Sequence, residues 1–417
     1  MTEGRVVAEE LKQRLQRAGL EAGVASGAPD GYDVAGPMPV CTVAPNDEGA
    51  VAALLEEASR SGWAVVVRGA GTQDRAGSPL GRAPVVVLDT RRLRGLIAHT
   101  PGDLTARVRA GTSLEELNAA LAPHGQHLPL EPPGGQGASL GGVVAGDAWG
   151  PERVLWGGPR DLVLGLRAVD GRGTRFATGG QVVKNVSGLD VGKLLIGSFG
   201  TLAVLTEINV RLRPLAPAHA SWAVQGPAAR LWEVAARIRE GKLAPLGLAV
   251  DGAGDRARLT VALEGGRAEV AAQLRELSAL EPGALEPEAA QAAWAAAHEP
   301  GAAGLWALVR CEVPEGALGD IWGAARRMSG VLRVLAWPGL GVLWCALGPA
   351  AGIGGVQQLR ALAVEAGGLA VVPAGPREPV PDLYPFGEPG ALLPLLTAIR
   401  QRFDPQAVLG PGRMWPI

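Results

Sequence analysis

The chain has 417 residues, 39 lysines and arginines against 41 aspartates and glutamates, and a formal net charge of -2. That length supports a large core and two or three domains. The balanced charge, without basic runs, excludes the electrostatic footprint of a nucleic-acid binder. Cys41, Cys311 and Cys345 stand far apart and are odd in number, which argues against a disulfide framework, a zinc site or an iron-sulfur cluster. Glycine, at 61 residues, is about twice its usual share of roughly 7%. Only Lys12, Lys184, Lys193 and Lys242 among the basic residues are lysines, so a GC-rich coding bias inflates Arg, Ala, Gly and Pro together. Where the glycines fall carries more information than how many there are.

In chain order, residues 3 to about 23 pattern as an amphipathic helix with Leu11, Leu15 and Leu20 among charged residues. Glu3, Arg5, Glu9, Glu10 and Lys12 leave no apolar stretch for a secretory signal, and the expected location is the reducing cytosol. A helix over Asn46–Ser59 is followed by strands Ala64–Val67, Val85–Asp89 and Leu104–Ala110, then a helix Ser113–Leu121 opened by Thr112 and Ser113 with Glu115 and Glu116 behind them. Strand character continues through Asp161–Asp170, Thr174–Ala177 and Thr201–Arg213, and Pro214 and Pro217 mark a boundary.

Beyond it, Leu246–Val250 and Arg258–Leu263 with helix Arg267–Leu280, then Leu305–Cys311 with helix Ala317–Met328, pattern as a small α+β domain with antiparallel strands. Glu281–Pro300 is a linker or a surface helix. The uncharged run Val334–Val356 is broken by Pro338, Pro349 and glycines, and fits a hairpin of Val331–Trp337 and Val342–Leu347 better than a membrane span. No transmembrane segment is expected. The chain closes with a helix, Leu392–Phe403, and an extended peptide.

Three glycine clusters stand out. Val65-Val66-Val67-Arg68-Gly69-Ala70-Gly71-Thr72-Gln73 is a strand running into a loop of small residues. Such a loop gathers backbone N–H groups into a concavity suited to a phosphate, or is simply a strand-ending turn. Small residues fill nearly every position from Pro132 through Gly134, Gly135, Gly141 and Gly142 to Gly146, and a flat or anionic group would lie well against that backbone. The third cluster runs from Lys184-Asn185 through Gly188 to Gly197-Ser198-Phe199-Gly200-Thr201-Leu202. Neither a Walker A loop nor a G-x-G-x-x-G opening a helix is present.

Taken in order, these clusters resemble the FAD-binding domain of the vanillyl-alcohol oxidase, or p-cresol methylhydroxylase, type. The matching elements are Val67–Thr72, Pro133-Gly134-Gly135 with Gly141–Ala145, Trp156–Gly165 and Gly197–Val204, over roughly Met38 to Leu215. Phe403-Asp404-Pro405 with Gly410–Met414 is similar to that family's closing segment. Within the family, Gly180–Asp190 resembles the glycolate oxidase FAD-binding subunits.

The resemblance implies an α+β fold. A two-subdomain FAD-binding domain at 38–215 would follow a lead-in at 1–37 and precede an antiparallel α+β domain at 216–385, of cap or subunit-interface type. Residues 386–417 would return to the flavin domain. It implies FAD held by Arg68, Gly69, Ala70, Gly71, Thr72 and Gln73; by Pro133, Gly134, Gly135, Ala138, Ser139, Gly141, Gly142 and Ala145; and by Gly200, Thr201, Leu202, Val204 and Arg413. Some members tether flavin through a histidine or cysteine in the first two loops. These loops carry neither here, so the expected FAD is non-covalent.

Catalytic members of the hydroxy-acid branch carry a His-x-His metal and substrate motif in the second domain. Of His99, His124, His127, His219 and His298, only the last two follow the flavin domain. No catalytic residue and no metal site is therefore assigned. The resemblance then implies an accessory subunit that relays electrons beside a larger catalytic flavoprotein and an iron-sulfur subunit, cytoplasmic or peripheral to a membrane through that complex. The alternatives are a stand-alone FAD-dependent hydroxy-acid or alcohol dehydrogenase, with second-domain arginines on a carboxylate, and a flavin-fold scaffold without catalysis. His124 and His127 are expected to be structural, Arg160 and Asp161 a local pair, and Lys184 and Asn185 a flavin contact, a partner surface or loop polarity. Trp222, Trp232, Trp306, Trp322, Trp337 and Trp344 are expected in a core or a subunit interface.

Overall fold

The structure is a computed structural model and describes residues 3–17, 22–82, 84–180, 190–253, 256–378, 380 and 383–415. Leu20, Lys184 and Asn185 lie outside the described residues. The chain divides into two compact units, one of Met1–Ala148, Gly158–Pro214 and Arg377–Ile417, the other of Trp149–Gly157 and Leu215–Pro376. The fold is α+β.

In the first unit, helix α1 (Glu3–Arg17) buries Ala8 and Leu11. Strands β1 (Ala22–Ser26), β2 (Pro39–Pro45), β3 (Ala64–Arg68) and β4 (Val85–Asp89) form a sheet in the order β1-β2-β4-β3, with β2 and β3 parallel to β4. The Val-Val-Val runs of β3 and β4 suit a strand covered on both faces. Helix α2 (Glu48–Ser61) connects β2 to β3. Asp47 caps it by accepting the Ala50 N–H at 2.8 Å, and Gly62 ends it at φ 71°.

The same unit holds β5 (Leu96–Thr100), β6 (Thr105–Arg109), β7 (Gln126–His127), β8 (Val163–Asp170), β9 (Arg175–Gly179), β10 (Ala203–Arg211) and β11 (Arg213–Pro214). Five of these make a sheet in the order β5-β6-β10-β8-β9, and β7 pairs with β11. Helices α3 (Leu114–Leu121) and α4 (Leu140–Ala145) pack Leu114, Leu117, Leu121, Leu140, Val143 and Val144 into the core of that sheet. His124 lies in a short 3-10 turn with its ring 4.8 Å from that of His99, and His127 lies in β7.

Strand β8 starts two residues later than its apolar pattern suggests. Pro159–Leu162 forms a helical turn, with the Asp161 carboxylate accepting the Gly158 N–H at 2.9 Å. Arg160 is not a local partner of Asp161. It reaches Asp147 at 3.4 Å and donates to the Ile196 carbonyl at 3.1 Å.

The second unit is built on a seven-stranded antiparallel sheet of β12 (Ala218–Pro227), β13 (Gly247–Ala253), β14 (Arg256–Gly265), β15 (Ala307–Glu312), β16 (Val331–Trp337), β17 (Val342–Leu347) and β18 (Leu369–Ala374). Their order is β12-β14-β13-β16-β17-β15-β18. The hairpin expected at Val331–Leu347 is β16–β17, and Glu281–Pro300 contains a helix, Pro287–Ala296, that buries Ala290 and Ala293. Trp222, Trp322, Trp337 and Trp344 are buried. Trp149 joins them from the inserted segment, its ring 5.8 Å from that of Trp337.

The chain re-enters the first unit and ends in a helix, Leu393–Phe403, and an extended tail. Buried Asp404 accepts the N–H groups of Val408 and Leu409 at 2.8 Å each. The tail then runs beside β3: the Val65 N–H donates to Val408 at 2.7 Å, and the Gly410 N–H donates back to Val65 at 2.9 Å. Among the described residues no helix is long and apolar enough to cross a membrane.

Candidate functional site

Four segments of the first unit converge on one cavity of about 80 Å³, partly open to solvent. They are the loop after β3, the entrance of α4, the turn before β10 and the C-terminal tail. Arg68, Gly69, Ala70, Gly71, Thr72 and Gln73 all line it. Ser139, Gly141, Gly142, Ala145 and Gly200 do so as well, and Arg413 enters from the tail.

The remaining expected residues lie elsewhere. Pro133, Gly134, Gly135 and Ala138 form the turn beneath the first loop, with Gly135 donating to Pro132 and Ala138 to Gly135. A Cβ on Gly134 would fall 2.7 Å from Thr72. The Thr201 hydroxyl donates to the Ser198 carbonyl at 2.7 Å, Leu202 packs on the core, and Val204 is buried in it. Ala203, within the expected run Gly200–Val204, lines the cavity, and Val67, Asp74, Thr90, Ala110, Gly146, Phe199 and Leu205 do so without having been named as cofactor contacts. Val67, Gly146, Phe199 and Ala203 belong to the runs that the sequence singles out, whereas Asp74, Thr90, Ala110 and Leu205 come from positions that no local pattern marks.

Close approach explains the small residues. A Cβ on Gly69 would fall 2.0 Å from Ser139 Oγ, so only glycine lets the first loop lie against the start of α4. The Ser139 hydroxyl also caps that helix, accepting the Gly142 N–H at 3.4 Å.

The electrostatics of the cavity favour an anion. Arg68 and Asp74 form a buried ion pair at 2.8 Å. Arg413 is also buried, and its Nη2 donates to the carbonyls of Gln73 at 3.3 Å and Asp74 at 3.1 Å. Its Nε and Nη1 have no partner among the described residues. Burial lowers the pKa of this guanidinium, and Asp74 opposes that shift. Two buried guanidiniums thus share one adjacent carboxylate, an arrangement that is costly until an anion completes it. The N–H groups of Ala70, Gly71, Thr72 and Gln73 likewise find no acceptor among the described residues. Hydrogen bonds to a charged group contribute about 1.5–3 kcal/mol each, so four such amides suffice for a pyrophosphate without lysine.

A family model described as an FAD binding domain matches residues 39–179. That segment of the chain is similar to an FAD binding domain. Glycolate oxidase subunit GlcE of Escherichia coli strain K12 is 38% identical over 229 residues, covering 54% of this chain and 63% of that protein. A D-lactate dehydrogenase of Archaeoglobus fulgidus is 35% identical over 172 residues, covering 41% of this chain and 38% of that protein. The chain therefore spans less than two thirds of the length of either relative. A structure of p-cresol methylhydroxylase with substrate bound superposes with a TM-score of 0.73 at 14% identity, over 99% of this chain and 97% of that one. The fold is of that type, and the cofactor of the FAD domain is FAD.

The cavity fits this cofactor chemically. Its unpaired amides and the half-satisfied Arg413 match a pyrophosphate, and its apolar lining of Val67, Ala145, Phe199, Ala203 and Leu205 matches a flat ring system.

Proposed function

We propose that the chain is the FAD-binding accessory subunit of a glycolate, or closely related 2-hydroxy acid, oxidase complex. It would hold FAD non-covalently through Arg68–Gln73, Ser139–Gly142, Ala145, Gly200 and Arg413. The observation that carries the reading is the cavity of the first unit, lined by the loop Arg68–Gln73, by small residues from Ser139 to Ala145 and by Arg413, whose Nε and Nη1 have no partner among the described residues. Likeness to a protein named as a glycolate oxidase subunit supports the substrate class. The bound flavin would supply the redox chemistry, accepting electrons and passing them on. This chain's own residues bind the anion, wall off the ring and fix the tail over it.

The sequence supports a partner for the substrate step, since only His219 and His298 follow residue 214. In the second unit His298 is half of a buried pair with Glu152, Nε2 to Oε1 at 2.5 Å, while its Nδ1 faces the Trp294 carbonyl at 3.0 Å. Both ring nitrogens are engaged, which leaves the imidazole poorly placed as a general base. The partners in this reading are a larger catalytic flavoprotein and an iron-sulfur protein.

Expression alone and together with those neighbours, with glycolate and an artificial acceptor, tests this. The accessory role predicts flavin in the isolated chain but turnover only in the assembly. Turnover by the isolated chain would contradict it and favour the dehydrogenase alternative, to which the likeness to a D-lactate dehydrogenase points.

A further inference from the structure

Phe199 stands in strained backbone. Its φ is 51°, in the left-handed region that a bulky residue enters only at a cost. The turn is locked in place: the Phe199 N–H donates to the Ala145 carbonyl at 2.8 Å and the Gly197 N–H to the Val144 carbonyl at 3.2 Å. Phe199 is among the residues that line the cavity. Behind the Phe199 ring stands Phe386, with ring centroids 4.9 Å apart at 45°, and behind that Trp415, 6.1 Å further at 60°. Trp415 is itself anchored, its Nε1 donating to the Gly387 carbonyl at 3.1 Å. A glycine would make the same turn without strain, so the ring must be what the position keeps.

Of the side chains lining the cavity, Phe199 is the aromatic one. Ala145, Ala203 and Leu205 extend its apolar surface, whereas the unpaired donors come from Arg413 and the first loop. A rigid, backed aromatic wall in a cavity that also offers anion donors suits a planar heteroaromatic ring joined to a pyrophosphate. We propose that Phe199 is a positioning residue for one of the two planar rings of FAD, held at its angle by the Phe386–Trp415 stack. This rests on the reading of the cavity as the FAD site.

The test is calorimetric titration of the apoprotein with FAD, FMN and ADP, together with the visible absorption band of bound flavin and the thermal stability of the apoprotein. Phe199→Gly is expected to keep or raise apoprotein stability, because strain is relieved, and to weaken FAD about tenfold, the equivalent of 1.4 kcal/mol. Phe199→Leu, which keeps bulk without a flat face, serves if the glycine variant fails to fold, with a smaller loss and a shifted flavin band. Phe386→Ala should reproduce part of the effect by removing the backing. A loss confined to FMN assigns the flavin ring, and one confined to ADP assigns adenine; either supports the proposal. Wild-type affinities for all three ligands in the Phe199 variants, with an unshifted band, would overturn it. Absence of FAD binding by the wild-type chain would instead overturn the cofactor site itself.

Discussion

Arg413 Nη2 donates to the backbone carbonyl of Asp74 at 3.1 Å across 339 positions of sequence. The last residues of the chain are thereby fastened to the loop that follows β3. One guanidinium is only half satisfied: Nη2 binds protein carbonyls while Nε and Nη1 are buried without a partner among the described residues. Arg413→Gln should therefore weaken FAD by about 10- to 100-fold, the loss of a charge-assisted hydrogen bond. It should destabilise the apoprotein little, because a buried and incompletely paired charge leaves with it. Flavin titration beside thermal unfolding separates the two effects.

Gly69→Ala is expected to act on packing. The added methyl would meet Ser139 Oγ at 2.0 Å, forcing apart the loop and the entrance of α4 at a cost of about 1–3 kcal/mol. The flavin-to-protein absorbance ratio of the purified variant should fall together with its melting temperature.

Tyr32 supplies a pH-dependent signal. Burial pushes its phenol up to about 12 from an ordinary 10.0, with Arg413 acting in the opposite sense. The folded state thus favours the neutral phenol. The stability it contributes is intact below pH 10 and is lost as pH rises from about 10 through about 12. Ultraviolet titration of the folded protein should show a phenolate step near 12 that Tyr32→Phe removes.

How much of this was visible in the sequence depended on range. The loop Arg68–Gln73 and the cluster around Ser139–Gly142 were legible because each is a continuous run of small residues after a strand or before a helix. Thr201, Leu202 and Val204 shared a motif with Gly200 but do not line the cavity: the Thr201 hydroxyl is spent on the Ser198 carbonyl, Leu202 packs against one core cluster and Val204 is buried in another. Asp74, Thr90 and Ala110 had no local signature; they reach the site through pairing and turns between distant segments. The inclusion of Trp149–Gly157 in the second unit is of the same kind. It is held there by tertiary contacts such as Trp149 with Trp337 and Glu152 with His298.

That last pair yields a stability prediction confined to the second unit. Glu152 and His298 are both largely buried, and Glu152 Oε2 has no hydrogen-bond partner among the described residues. His298→Ala would strand the carboxylate and should cost about 3–5 kcal/mol. The double variant Glu152→Gln, His298→Ala should recover part of that loss, measured by denaturant unfolding.

In the proposed function the first unit holds FAD without a covalent bond. The most direct measurement is the absorption spectrum of the purified chain before and after denaturation and removal of the precipitate. Non-covalent binding predicts a flavin spectrum near one FAD per chain, with all the flavin released to the supernatant. A chain that stays colourless at saturating FAD, or flavin that remains with the precipitated protein, would contradict it.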